Sequence, residues 1–376
     1  MNRKALIAMS GGVDSSVAAF LMQKNGFDCV GVTMKLFDNE DVGISRVGTC
    51  CSLDDIEDAR SVAVKLGIPY YVFNFTDEFH EKVIKRFVSA YENGMTPNPC
   101  IDCNRFLKFH RLYLRAKELG FDCIVTGHYA AVKEKDGRFF LKKAADDTKD
   151  QSYVLYSLTQ DELAHTVFPL GGLTKKKVRK IAEENGFLNA EKPDSQDICF
   201  VPDGDYAAAI ERFSGKKYIR GAFVDTSGNT LGEHRGIIHY TAGQRKGLLP
   251  TLPEKMYVCR VCAENNTVVL GTESELYSDN VTVSELNWIS GEAPAKPFFC
   301  TVRTRYRQRE ASAAVTPLSN GDVRICFDEP QRAVTPGQAA VMYDGEYVIG
   351  GGTIDGTCGC KHAVRIRGYN RKIYMQ

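Results

Sequence analysis

No run of this chain approaches the roughly 20 consecutive apolar residues that span a bilayer, so no membrane helix and no membrane partner are expected. A surplus of either charge is lacking as well. Lysine plus arginine number 48 and aspartate plus glutamate 47, leaving a net charge of +1. Bulk charge offers no general attraction for nucleic acid, and any such partner must be held by local basic patches. There is little room for a leader. An apolar strand begins at Lys4, and neither a signal nor a transit peptide is expected before it. Internal repeats beyond a strand–helix rhythm and low-complexity tracts are also lacking. What the chain does have is size and thiols. Its 376 residues, 43% hydrophobic and 25% charged, suffice for two or three domains with cores of their own. Thirteen cysteines, an odd number, point to a reducing cytoplasm and reactive thiols rather than a disulfide scaffold.

The most informative stretch is Ser10-Gly11-Gly12-Val13-Asp14-Ser15-Ser16. It follows the apolar run Lys4 to Met9, read as a buried strand, and opens Val17 to Met22, read as a helix. Two glycines let the backbone turn tightly and approach oxygen atoms, serine hydroxyls add donors, and the unpaired N–H groups of a helix start favour an anion. The loop has neither the lysine nor the longer spacing of a Walker loop. It resembles the SGGxDS loop of the ATP pyrophosphatases, which cleave ATP between the α and β phosphates.

The first third continues as alternating strands and helices. Strands are expected at Cys29–Met34, Tyr70–Phe75 and Cys123–Thr126. Helices are expected from a Ser52/Asp55 capping box to Leu66, from Glu78 to about Asn93, and from Asn104 to about Leu119. Such alternation implies a parallel sheet with ligands at the carboxyl ends of its strands, where Ser10, Met34 and Gly127 lie. The helical pattern fades beyond the short helix Tyr206–Phe213. Gly236–Tyr240 and Met256–Val261 read as strands of a small β-rich module. From Leu276 onward the chain reads as a second all-β unit, with turns at Ser319–Asp322 and Tyr343–Glu346. The expected fold class is therefore α/β, with a parallel-sheet domain (1–205), a small β-rich connector (206–275) and a C-terminal β-barrel (276–376).

Two loop cysteines stand out. Asn98-Pro99-Cys100-Ile101-Asp102-Cys103 precedes the helix expected at Asn104, which would set Cys103 at a helix N-terminus, where a thiolate is favoured. Ser195-Gln196-Asp197-Ile198-Cys199-Phe200 carries the other, outside any amphipathic period. Cys259-x-x-Cys262 has metal-knuckle spacing, but a strand would send its thiols to opposite faces. Cys50-Cys51 and Cys358-Gly359-Cys360 have no evident role.

SGGVDSS, TPNPC-x-x-CNRFLKF, VTGHYA, KDQSYVL, SQDICFVP and YTAGQRKG, in that order, resemble the bacterial tRNA-specific 2-thiouridylase family over the whole chain. The resemblance implies ATP-dependent thiolation of the wobble uridine (U34). The C2 oxygen is adenylated and sulfur from a cysteine persulfide then replaces AMP. It implies catalytic roles for Cys103 and Cys199, with the persulfide on Cys199 and Cys103 as partner nucleophile, either ending disulfide-bonded to Cys199 or releasing hydrogen sulfide for attack. ATP contacts fall on Ala8, Met9, Ser10, Gly11, Gly12, Val13, Asp14, Ser15, Met34 and Gly127. Contacts to the tRNA anticodon loop fall on Asn98, Pro99, Cys100, Lys149, Asp150, Gln151, Arg305 and Tyr306. Magnesium is expected with ATP, and a persulfide carrier or cysteine desulfurase is expected as partner. Family members often hold an acidic residue where this chain has Cys100. Asp102 would point elsewhere, and His128 is a substitute to consider. Cys100, Cys103 and Cys199 could instead hold an iron–sulfur cluster, a reading set second to the persulfide.

Arg303, Arg305, Arg307 and Arg309 alternate, and in a strand they would form one face spaced by about 6.6 Å, a phosphate rail. Lys175-Lys176-Lys177 with Arg179 and Lys180 is a second candidate basic surface for tRNA, on the first turns of a helix, where a solvated face is the stronger reading. Two other readings of the chain are an amide-forming ATP pyrophosphatase, which needs no paired cysteines, and an RNA-binding protein that only senses ATP.

Overall fold

The computed structural model describes residues 3–38, 53–194, 198–250, 252 and 254–356. Ser52, Cys50-Cys51, Ser195-Gln196-Asp197 and Cys358 to Cys360 lie outside them. Strands β1 (Lys4–Ala8), β2 (Asp28–Lys35), β3 (Tyr70–Asn74) and β4 (Cys123–Val125) form where the apolar runs predict them. Side chains alternate across β1: Leu6 enters one core with Phe79, Phe87 and Leu107, while Ala5 and Ile7 enter another with Val17 and Val62. Burial on both faces is what a parallel strand covered by helices requires.

A hairpin unread in the sequence, β5 (Ala130–Lys135) and β6 (Arg138–Lys143), follows β4 and precedes the short β7 (Thr166–Val167). The parallel sheet runs β3-β2-β1-β4-β7. Strand order reverses between β1 and β4, so the crevice for a ligand opens beyond the carboxyl ends of those two strands. The loop at 9–12 and Gly127 both sit there.

Two helices differ from expectation. The helix after Pro97 begins at Pro99, not Asn104, with Asn98 as N-cap accepting from the Cys100 amide at 3.2 Å. Proline at the first helical position forfeits only an N–H that had no partner in any case. Cys103 therefore lies in the second turn, opening a π-helical stretch, Cys103–Arg111, that leads into Leu112–Glu118. The helix before it, from Thr76–Phe79 to Lys85–Glu92, contains a second π-helical stretch, His80–Ile84.

The middle module contains β8 (Gly221–Val224), β9 (Thr230–His234), β10 (Tyr257–Cys262) and β11 (Thr267–Gly271) in the order β10-β11-β8-β9. Gly236–Tyr240 is not a strand. Its centre is a 3-10 turn, Ile237–His239, entered through Gly236 at φ +121°, whose amide donates to the His234 ring at 3.0 Å.

The last unit comprises β12 (Tyr277–Trp288), β13 (Phe298–Arg303), β14 (Ala311–Pro317), β15 (Val323–Arg332), β16 (Ala339–Asp344) and β17 (Tyr347–Gly356). They pair antiparallel as β12-β15-β14-β13-β16-β17, and β17 returns to β12, closing a six-stranded barrel. Both expected turns join strands here, with Gly321 at φ +90° and Gly345 at φ +58°. The arginine rail does not form. β13 ends at Arg303, leaving Arg305, Arg307 and Arg309 in the link to β14. The β5–β6 hairpin docks on this barrel, Lys142 pairing with Tyr347, so the first and last units share a sheet.

Candidate nucleotide and thiol site

The loop after β1 is preformed. Ser15 and Ser16 hydroxyls donate to the Gly12 carbonyl at 2.9 and 3.1 Å, and the Ser10 amide donates to Ser15 Oγ at 3.1 Å. Gly11 is required twice over. Its φ is +73°, and a Cβ there would lie 2.4 Å from the Asp55 carbonyl oxygen. Gly127 meets the loop from β4, where a Cβ would stand 2.7 Å from the Ser15 amide nitrogen. Ser10 is exposed, Met9 and Ser15 are buried, and Ala8 and Gly12 lie between; Met34 is buried near the end of β2. These residues thus surround one helix start at the strand-order reversal, geometry that suits a polyphosphate.

Several residues of this site carried no signal in the sequence. Asn189 donates to the Gly11 carbonyl at 2.8 Å and to Ser16 Oγ at 2.9 Å. Tyr129 donates to Asp14 at 2.8 Å. Lys175, expected on a solvated face, is a correction: its side chain is only 12% exposed and its ammonium reaches both Asp14 oxygens at 2.8 and 2.7 Å. It also pairs with Asp194 at 2.8 Å. Lys176, Lys177 and Lys180 are exposed as expected. Asp55, half of the expected capping box, spends its carboxylate on Lys192 at 2.6 Å.

Lys149-Asp150-Gln151 connects this loop to the barrel. Lys149 pairs with Asp194 at 2.9 Å. Gln151 Oε1 accepts from the Tyr129 amide at 2.9 Å. Asp150 is buried and accepts from the Ala144 amide, from Ser152 and from Arg303 of β13, the last at 3.0 Å. Arg303 also holds Glu310 at 2.9 Å. Arg305 directs one terminal nitrogen to the Ala242 and Ala333 carbonyls and to Thr335, at 2.7 to 3.1 Å. Tyr306 lies against the Tyr153 ring, 6.0 Å between centroids, within electrostatic reach of Cys100 and Asp150. Arg307 and Arg309 are exposed.

The thiols occupy different settings. Cys100 is exposed at the helix start, where the sequence had placed Cys103. Cys103 is buried and Cys199 partly buried, and both belong to the core beneath the 76–92 helix. Phe200, next to Cys199, fixes that loop against Phe79 and Phe87 with centroids 5.6 and 5.1 Å away. Asp102 turns away from this core, toward Arg86 at 3.4 Å in a cavity of about 460 Å³ at the barrel seam. Burial lifts its carboxyl to about 6 against the pull of Arg86. His128 packs between Phe109 and Phe168, its Nδ1 2.8 Å from Thr126 Oγ1. Burial and then Lys108 hold it well below the ordinary histidine value, so it is neutral at pH 7 and no ready proton donor. Among the described residues no three or more His, Cys, Asp or Glu side chains converge as metal ligands. Cys100, Cys103 and Cys199 do not fit an iron–sulfur cluster as they stand.

Fold and loop together define an α/β protein with a phosphate-suited loop at the carboxyl end of its parallel sheet, carrying two appended β units. Family models match three stretches of the chain: a tRNA methyl transferase HUP domain at residues 3–203, a tRNA methyl transferase PRC-barrel domain at 208–272 and an aminomethyltransferase beta-barrel domain at 278–354. The tRNA-specific 2-thiouridylase MnmA of Acetivibrio thermocellus is 52% identical over 355 residues, 94% of this chain and 99% of that protein. The protein of the same name from Clostridioides difficile is 48% identical over 357 residues, 94% and 99% respectively. Among solved structures, a 4-thiouridine synthetase–RNA complex with bound ATP is a remote match, at 20% identity, 57% and 50% coverage and a TM-score of 0.37. The chain belongs to the tRNA-specific 2-thiouridylase family, enzymes that are tRNA sulfurtransferases.

Proposed function

We propose that this enzyme thiolates carbon 2 of the wobble uridine (U34) of tRNA, with ATP activating the C2 oxygen and a cysteine persulfide supplying sulfur. The observation that carries this reading is the Lys149-Asp150-Gln151 triplet. It joins the nucleotide loop, through Tyr129 and Asp194, to the barrel strand beside Tyr306 and Cys100. That linkage supports a nucleotide site and an RNA-facing surface working in one frame.

ATP, with magnesium as its companion, occupies Ala8 to Ser15, Met34 and Gly127. A uracil C2 oxygen leaves poorly. Its attack on the α-phosphorus breaks the bond to the β-phosphate, and pyrophosphate departs with the electron pair into the glycine loop. The terminal sulfur of a Cys199 persulfide then attacks C2 and AMP leaves. Cys103 thiolate attacks Cys199 Sγ, the S–S bond breaks with its electron pair on the thiouridine sulfur, and a Cys103–Cys199 disulfide remains for an external thiol to reduce. Sulfur arrives from a persulfide carrier or a cysteine desulfurase in the cytoplasm. The anticodon loop lies against Asn98, Pro99, Cys100, Lys149, Gln151, Arg305 and Tyr306, with Asp150 acting from behind by holding Arg303.

The test incubates protein, ATP, magnesium, a persulfide donor and unmodified tRNA, and identifies the nucleosides by mass spectrometry. 2-Thiouridine should form with wild type, and neither Cys103→Ser nor Cys199→Ser should make it. Cys103→Ser should still accept persulfide at Cys199. Normal thiolation by either variant, or a brown iron-containing protein whose activity is lost in Cys100→Ala, would replace the two-cysteine route.

A further inference from the structure

The glycine loop has no lysine of its own, and its helix start brings in a carboxylate, Asp14, where the polyphosphate is to bind. A lone carboxylate there would repel the ligand the N–H groups attract. The fold corrects this with a residue 161 positions away. Lys175 Nζ reaches Asp14 Oδ1 and Oδ2 at 2.8 and 2.7 Å and Asp194 Oδ1 at 2.8 Å. Its backbone is fixed too, the amide donating to Asp146 at 2.9 Å. Asp194 is held from behind by Lys149 at 2.9 Å and Arg179 at 3.2 Å. Tyr129 completes the Asp14 environment, and burial with the nearby Asp14 charge keeps its phenol protonated and donating.

From this arrangement we infer that Lys175 is the phosphate-facing cation of the reaction: it neutralises Asp14 and takes the charge that develops on the leaving pyrophosphate. The inference rests on the adenylation reading of the previous subsection. In that step the C2 oxygen–phosphorus bond forms and the α–β bridging bond breaks. The electron pair passes to the β-phosphoryl oxygens, and Lys175 gives hydrogen bonds there without losing its proton. The two carboxylates hold the ammonium at the loop beforehand, and because its three N–H donors are spent on Asp14 and Asp194, it exchanges one of those contacts for a β-phosphoryl oxygen as charge appears. A Walker lysine sits within its loop; here the equivalent charge is delivered by the first residue of another helix, Lys175–Glu184.

The experiment compares wild type, Lys175→Met, Lys175→Arg and Asp194→Asn for uridine-dependent pyrophosphate release. Each is run with ATP and with ATP carrying sulfur at a non-bridging β oxygen. Lys175→Met should lose roughly 100-fold or more in kcat, with tRNA affinity unchanged, and Lys175→Arg should recover part of the loss. The β-sulfur substitution should slow wild type markedly and Lys175→Met little, because the hydrogen bond it weakens is already gone. A purely structural lysine predicts the same sulfur effect in both proteins, and that result would overturn the inference. If Lys175→Met does not fold, the neutral Lys175→Gln takes its place in the same contrast, and an undiminished sulfur effect in that variant would overturn the inference. Absence of pyrophosphate release from wild type would instead remove the adenylation reading, so the two failures are distinct.

Discussion

Arg303 on β13 donates to the buried carboxylate of Asp150 at 3.0 Å, across the seam between the parallel-sheet unit and the barrel. The pair is well shielded, with side-chain exposures of 16% and 2%. Removing one partner leaves the other charged and desolvated. Arg303→Met should therefore lower unfolding stability by about 3 kcal/mol, as breaking shielded pairs does. It should also weaken tRNA binding through the displaced Tyr306 loop. Chemical denaturation and a binding titration check both, and an unchanged denaturation midpoint would refute the coupling.

Gly11→Ala should separate the nucleotide loop from the rest. The new methyl would sit 2.4 Å from the Asp55 carbonyl oxygen at a φ of +73°, which forces the backbone to move. ATP affinity should fall at least 10-fold, while tRNA affinity stays within twofold. Equilibrium binding of each ligand reads the difference, and unchanged ATP affinity would show that the loop does not cradle phosphate.

The arginines of the β13–β14 link should divide by their surroundings. Arg307 and Arg309 are exposed, and replacing either by Ala should flatten the slope of log affinity against log salt by roughly 0.7–0.9 for each phosphate left unneutralised. Arg305, bonded to Ala242, Ala333 and Thr335, should cost stability when replaced by Ala. An unchanged salt slope in the Arg307 and Arg309 variants would place tRNA elsewhere.

Asp102 gives the enzyme a pH signature. Burial raises its carboxyl from the ordinary 3.8 to about 6 in the native state. Between those values the native protein keeps a proton that the unfolded chain releases, so its contribution is full below about pH 4 and falls as pH rises to 6. The total change is at most about 3 kcal/mol, from about two pKa units. Asp102→Asn should flatten urea-unfolding free energies across that range. A wild-type curve already flat there would contradict the assignment.

What could be read in advance is what local signals encode. The runs at Lys4, Cys29 and Cys123, the Gly11-Gly12 turn and the hairpins at Gly321 and Gly345 are fixed by apolar pattern and by residues that tolerate unusual backbone, and all formed. The helix starts at Pro99 rather than Asn104 because Asn98 capping and a first-turn proline weigh more than the apolar period beginning at Asn104. Lys175 carries no local signal of its role. Its lysine-rich surroundings look solvated, and only the fold brings it to Asp14. The arginine alternation misleads because β13 stops at Arg303, whose side chain pairs with Asp150, so Arg305, Arg307 and Arg309 lie in the link to β14 rather than on a strand face.

Activation of the uridine oxygen itself by ATP is the step on which the proposed chemistry turns. The most direct measurement uses tRNA labelled with oxygen-18 at C2 of the wobble uridine, one turnover with ATP and a persulfide donor, and mass spectrometry of the AMP produced. Adenylation of that oxygen predicts one oxygen-18 in the AMP for each 2-thiouridine formed. Unlabelled AMP, with the label in water or in pyrophosphate, would contradict it.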